Sequence, residues 1–181
     1  MNLIEVATAL AIKAHEGQFR KEARTPYVVH PIAVALILSR HGFDDHVVSA
    51  GLLHDVLEDT SVTYDELVSA VGEEVASLVA SVSHNAELPW EEKKKDYIES
   101  IRTAGDSVKA IATADKIANA QSFLFAYEKD GPSLWKNFNA GREKKLWFEH
   151  AMLAMLHEEW EHPLIHEYAQ YVEKMDNLED V

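Results

Sequence analysis

Four side chains carry the chemistry this sequence can offer: His30, His54, Asp55 and Asp115. His54 and Asp55 are adjacent at the end of an apolar stretch, AGLLHDVLEDT, and Asp115 interrupts an Ala-rich one, VKAIATADKIANA. A carboxylate in so apolar a setting is costly unless it is paired or holds a metal. Each residue also has an ordinary reading, His30 ahead of Pro31 as a helix-cap residue and Asp115 as the partner of a buried Lys. Spacing is what joins them. If the helix carrying His54 continues, Glu58 falls four residues after His54 and Asp59 four after Asp55, so the ionisable groups crowd into about one and a half turns. Such crowding is unfavourable without a cation. Two imidazoles and two carboxylates suit a borderline-hard divalent ion (Mn²⁺, Fe²⁺ or Mg²⁺), with positions left for water and substrate. An ion of that kind acidifies water and polarises a phosphoryl oxygen. Glu58 and Asp59, outside the ligand set, would orient the water and take its proton. The expected chemistry is metal-assisted hydrolysis.

Helices must position these groups. Leu3, Ala7, Leu10, Ala11 and Ala14 trace one face of a first helix, with Asn2 and Glu5 spaced as a capping box. Pro31 suits the first turn of a second helix that stops at Gly42. A third begins near Asp44–Asp45 and runs to His54. Thr63 and Glu66 make a second capping box, for a helix ending at Gly72, and Glu73 to Val82 forms the next. Pro89 opens another, closed at Gly105, and Asp106 caps a long one through Phe123. Two or three more helical stretches follow Gly131–Pro132. No segment alternates as a half-buried strand does, and no Asn-Gly or Asp-Gly hairpin signal occurs. The expectation is an all-α, compact single domain of about eight to ten helices, with a core over 1–125 and a helical extension over 126–181.

Composition bounds the function. The 181 residues hold 31 acids against 17 Lys and Arg, a net charge of −14. Residues 157–181 account for half of it, with eight acids against the single Lys174. That balance argues against nucleic acid as a partner, since neutralising a phosphate backbone needs surplus positive charge. It leaves room for a small polyphosphate met by local positive charge. The absence of Cys excludes disulfides, zinc ribbons, iron–sulfur clusters and thiol catalysis. No apolar run approaches the ~20 residues that span a bilayer, and the N-terminus reads as a helix rather than a secretory signal. No membrane partner and a cytoplasmic location are expected; oligomeric state is left open.

The order His30 … His54-Asp55 … Asp115 resembles the H…HD…D pattern of the HD-domain metal-dependent phosphohydrolases. The stretches AHEGQFRKEARTPYVVHPIAVA, LLHDVLEDTSVTYDEL and ADKIAN are similar to the hydrolase domain of RelA/SpoT proteins, above all the stand-alone small alarmone hydrolases. The resemblance runs continuously over roughly residues 1–125. It implies that His30, His54, Asp55 and Asp115 ligate the metal, usually Mn²⁺, and that Glu58 and Asp59 serve the attacking water. It implies that Arg20 and Lys21 face the nucleotide and that Asn119 holds its sugar end. The implied reaction is hydrolysis of (p)ppGpp at the 3′-pyrophosphate, giving GDP or GTP and pyrophosphate. A chain of 181 residues leaves no room for a synthetase domain, so a hydrolase alone is expected. The chain departs from the family pattern at Glu22-Ala23-Arg24 before Thr25-Pro26-Tyr27, at Ala118 where the family writes His, and at Ser83-His84-Asn85.

These departures motivate an alternative, an HD phosphohydrolase acting on an adenine alarmone, a nucleotide monophosphate or the 2′-phosphate of NADPH. A third possibility, a non-catalytic nucleotide-binding regulatory domain, has no need of the Glu58–Asp59 pair. Of the remaining signals, Lys93–Lys95 read as a charged helix face, though the family carries basic residues there that can reach phosphates. His157, His162 and His166 read as surface histidines, with Pro163 starting a helix among them. Trp135, Trp147, Phe148 and Trp160 read as core.

Overall fold

The computed structural model describes residues 1–20, 25–83, 88–137 and 141–180. Among these the all-α expectation holds: ten α-helices and a 3-10 helix, with an isolated antiparallel bridge between Phe19 and Pro26. The helices are α1 (Leu3–Ala14), α2 (Val29–Arg40), α3 (Asp45–Leu53), α4 (Val56–Asp59), α5 (Tyr64–Val71), α6 (Glu73–Val82), α7 (Trp90–Thr103), α8 (Asp106–Asp130), α9 (Gly141–Glu159) and α10 (Pro163–Asp176), with the 3-10 helix over Gly131–Asn137. Both predicted capping boxes form, Asn2 with Glu5 and Thr63 with Glu66. Each satisfies backbone N–H groups that the first turn would otherwise leave unpaired.

One helix and the first half of another are buried nearly all round and fix the rest. Every residue of α3 from Val47 to Leu53 is buried, between α1, α2, α6 and α8. In α8 the run from Val108 to Ala118 is buried except for Asp115, whose side chain keeps 14% exposure. It packs on α2, α3, α6, α7 and α10. Gly51 lets α2 and α3 meet closely: a Cβ there would lie 2.5 Å from Leu38 Cδ1.

Three boundaries differ from the sequence expectation. The third helix stops at Leu53, and Asp55 becomes the N-cap of the one-turn α4. The cause is local. His54 Nδ1 donates to the Gly51 carbonyl at 2.8 Å, the acceptor that an uninterrupted helix offers to the N–H of Asp55. Gly105 rather than Asp106 is the N-cap of α8. That helix also runs past Phe123 to Asp130, because Phe123 and Ala126 bury against Leu134, Trp135 and Leu146 in a second apolar cluster. It ends at Gly131, whose φ of 61° is costly for residues with a Cβ.

Candidate metal centre

The break after α3 turns His54 and Asp55 inward toward His30 on α2 and Asp115 on α8. The ligand atoms of His30, His54 and Asp115 lie within 4.8 Å of one another. His30 Nε2 is 3.0 Å from Asp115 Oδ1 and 3.7 Å from Asp55 Oδ2. His54 Nε2 is 3.2 Å from Asp55 Oδ2 and 3.7 Å from Asp115 Oδ1. Both imidazoles are buried.

Their hydrogen bonding fits a cation. Because His54 Nδ1 donates to a backbone carbonyl, its Nε2 is left as the lone-pair nitrogen facing the carboxylates. That Nε2 is buried and makes no hydrogen bond among the described residues. A buried nitrogen that makes no hydrogen bond calls for an explanation, and His30, His54 and Asp115 stand close enough together to hold a metal ion. Without such an ion, burial disfavours the charged form of His54, but Asp55 and Asp115 together hold its pKa well above the ordinary value. The surroundings of His54 thus favour positive charge.

Both carboxylates stay ionised despite their surroundings. Burial pushes Asp55 up, and His54 and His30 overcome it, leaving its pKa far below the carboxylate range. Burial likewise works against Asp115, and Lys116, His30 and His54 hold it well down. Lys116, itself buried, donates to Asp115 Oδ2 at 2.8 Å, and Asn119 Nδ2 donates to Oδ1 at 2.6 Å. The ordinary reading of Asp115 as partner of a buried Lys is therefore realised, with one oxygen given to Lys116 and the other left toward the imidazoles.

Asn119 links this centre to Arg20, whose Nη2 donates to Asn119 Oδ1 at 3.1 Å. Beside them a cleft of about 310 Å³ is lined by Arg20, Thr25, His30, Gln121, Ser122 and Phe125. Glu58 and Asp59 lie exposed on α4, next to the cluster. Lys21, with Arg24, His84 and Asn85, lies outside the described residues.

Tyr27 joins the site, and Lys94 and Glu149 feel the charge of Lys116 beside it, though spacing alone singles out none of them. Tyr27 donates from one hydroxyl toward Asp55 Oδ2 at 2.6 Å and Asp59 Oδ2 at 3.0 Å. Burial and the two carboxylates push its pKa well up, so it remains a donor. Lys94 on α7 sits 4.4 Å over the Phe148 ring. Burial, with Lys116 and Lys145 nearby, pushes its pKa down to about 8. Glu149, buried on α9, is held by Lys145 and the Tyr168 hydroxyl. Nothing in the spacing marked Tyr27 or Glu149. The C-terminal histidines do not form a metal cluster among the described residues: His157 and His166 are exposed, and His162 caps α10 through Nδ1. Trp135 and Phe148 are core as read, whereas Trp147 is 39% exposed.

Comparison with known proteins places this geometry. The HD domain family matches residues 7–143. The zebrafish (Danio rerio) guanosine-3′,5′-bis(diphosphate) 3′-pyrophosphohydrolase MESH1 is 39% identical over 112 residues, covering 60% of this chain and 62% of that protein. The chain thus spans about three fifths of that relative's length. A crystal structure of lmo0812 from Listeria monocytogenes EGD-e superposes with a TM-score of 0.76 at 39% identity, over 81% of this chain and 97% of that one. A metazoan ortholog of SpoT, described as hydrolysing ppGpp, superposes with a TM-score of 0.82 at 26% identity, over 96% of each chain.

Proposed function

This chain belongs to the HD-domain family, and from that membership and the geometry of its site we propose that it hydrolyses (p)ppGpp at the 3′-pyrophosphate, giving GDP or GTP and pyrophosphate. The observation that carries the reading is the convergence of His30, His54, Asp55 and Asp115, with Nε2 of each imidazole within 3.7 Å of both carboxylates. The name of the zebrafish relative and the activity stated for the metazoan ortholog of SpoT support the substrate.

His30, His54, Asp55 and Asp115 would hold the metal, and the nitrogen and oxygen donors suit Mn²⁺, with Fe²⁺ or Mg²⁺ as alternatives. When bound, the ion supplies Lewis acidity toward a phosphoryl oxygen and toward water. Lys116 and Asn119 keep the Asp115 carboxylate oriented for that task. Asp59 and Glu58 orient the attacking water and accept its proton. The water oxygen bonds to the phosphorus attached at the 3′-oxygen, that P–O bond breaks, and the 3′-oxygen ends protonated. Arg20 and Lys21 meet the charge of the nucleotide, and Asn119 holds its sugar.

A second reading keeps the chemistry and changes the nucleotide, to an adenine alarmone, a nucleotide monophosphate or NADPH. Ala118 motivates it: the family writes His there, and here the position is a buried methyl. Assay with Mn²⁺ against these nucleotides and ppGpp, with products identified, decides. The proposal expects pyrophosphate and GDP from ppGpp as the preferred reaction. Faster turnover of an adenine nucleotide would establish the second reading.

A further inference from the structure

The loop between α1 and α2 does more than connect them. Tyr27 N–H donates to Gln18 O, and Arg20 N–H to Thr25 O, both at 2.9 Å, so residues 18–20 and 25–27 pair back to back. That pairing delivers the Tyr27 ring against buried His15, with centroids 4.8 Å apart. His15 Nδ1 in turn contacts Gln18 Oε1 at 2.8 Å, and Gln18 Nε2 donates to the backbone carbonyl of Asp59 at 2.7 Å. Asp59 is exposed on a one-turn helix, and a helix so short is marginal without tertiary support. The loop grips it twice, at its carbonyl through Gln18 and at its carboxylate through Tyr27.

We propose that Tyr27 is a positioning residue for the hydrolysis, its hydroxyl tying Asp55 in the metal centre to Asp59 beside the attacking water. The proposal rests on the functional reading above. Two carboxylates this near each other repel, and one phenolic proton within 2.6 Å of Asp55 and 3.0 Å of Asp59 offsets that repulsion. A carboxylate oxygen has two lone-pair directions, so Asp55 Oδ2 can receive the phenol on one and face the imidazoles on the other. Tyr27 therefore acts through both partners. Through Asp55 it fixes the direction of a metal-binding oxygen. Through Asp59 it fixes the water-orienting group relative to that oxygen.

The test is Tyr27→Phe, which removes one oxygen and keeps the ring against His15. Co²⁺ titrated into the metal-free protein, followed by its visible absorption, reads the first arm. The proposal expects Y27F to bind Co²⁺ about tenfold or more weakly, the usual scale for losing a hydrogen bond to a metal-binding carboxylate. The second arm is kinetic. At saturating metal, Y27F should lose about 10- to 100-fold in kcat with KM little changed. In an Asp59→Asn background the same change should cost about twofold at most. A merely structural tyrosine would lower the unfolding midpoint and cost the same in either background. Unchanged Co²⁺ affinity overturns the proposal, as does a kcat loss of equal size with and without Asp59→Asn. If the wild-type protein does not hydrolyse ppGpp, the functional reading falls, and the Co²⁺ arm still decides the role of Tyr27.

Discussion

Lys116 and Asp115 are neighbours in sequence and partners in space, their Nζ and Oδ2 2.8 Å apart in the interior of α8. Burial works against the ammonium, and Asp115 more than restores it, so Lys116 stays charged. Lys116→Met leaves Asp115 buried without its cation. Breaking a buried pair from one side costs about 3–5 kcal/mol, so urea unfolding of the metal-free variant should show a loss of that order. Unchanged stability would mean that the imidazoles alone balance Asp115.

The two roles assigned to the acidic residues separate by substitution. Asp55→Ala should abolish both metal binding and turnover. Glu58→Gln and Asp59→Asn should keep the metal and lower kcat by about 10²-fold, the ordinary scale for a positioned proton acceptor. Metal content measured on the purified variants, alongside kcat, checks this. Metal loss in the Glu58 or Asp59 variants would move those residues into the ligand set.

Gly51 is where the fold and the site are coupled. An alanine methyl there meets Leu38 Cδ1 at 2.5 Å and Val34 Cγ1 at 3.4 Å, both on α2. Leu38 is wholly buried and has little room to turn. Overpacking costs about 1–3 kcal/mol, partly offset by up to ~1 kcal/mol of helix propensity. Gly51→Ala should therefore destabilise by about 1 kcal/mol and weaken metal binding as well, since α2 carries His30 and the Gly51 carbonyl fixes His54. A stability loss with unchanged metal affinity would show that the site is insulated from this contact.

Acid sensitivity should arise at the start of α10. His162 Nδ1 accepts from the N–H of Leu164 at 3.2 Å, which only an unprotonated Nδ1 can do. Its ring stacks on Trp160 at 4.7 Å and faces Phe43 and His41, and Glu167 holds His41 together with Arg40. Burial first, and then His41, hold its pKa below the ordinary 6.5, with Asp106 acting the other way. The unfolded chain thus takes the proton more readily. The cap's contribution is complete above pH 6.5 and is lost as pH falls through the lowered folded value. A cap of this kind is worth ~1 kcal/mol. His162→Asn, which caps without titrating, should flatten the stability profile between about pH 7 and pH 5. An equally steep profile in the variant would contradict the assignment.

Much of this was legible in the residues. Capping boxes at Asn2 and Thr63, Pro31 in an early turn and Gly at helix ends are local signals, and the helices obey them. The meeting of His30, His54 and Asp115, whose ligand atoms lie within 4.8 Å of one another, was legible because burying charge in an apolar helix needs a reason. The break at His54 was not, since a side chain bonding back to Gly51 has the same sequence as a helix that continues. The role of Tyr27 was equally hidden. Its contacts reach Asp55 and Asp59, 28 and 32 residues away, and no periodicity encodes such a distance. The charge balance of −14 told against phosphate partners only until its distribution was known.

The most direct test is hydrolysis of ppGpp in ¹⁸O-enriched water by the Mn²⁺-loaded protein, with both products weighed by mass spectrometry. Attack at phosphorus places one ¹⁸O in the released pyrophosphate and none in GDP, and Asp55→Ala should yield neither product. Label in the nucleoside, turnover that survives in Asp55→Ala, or release of inorganic phosphate in place of pyrophosphate would contradict the account.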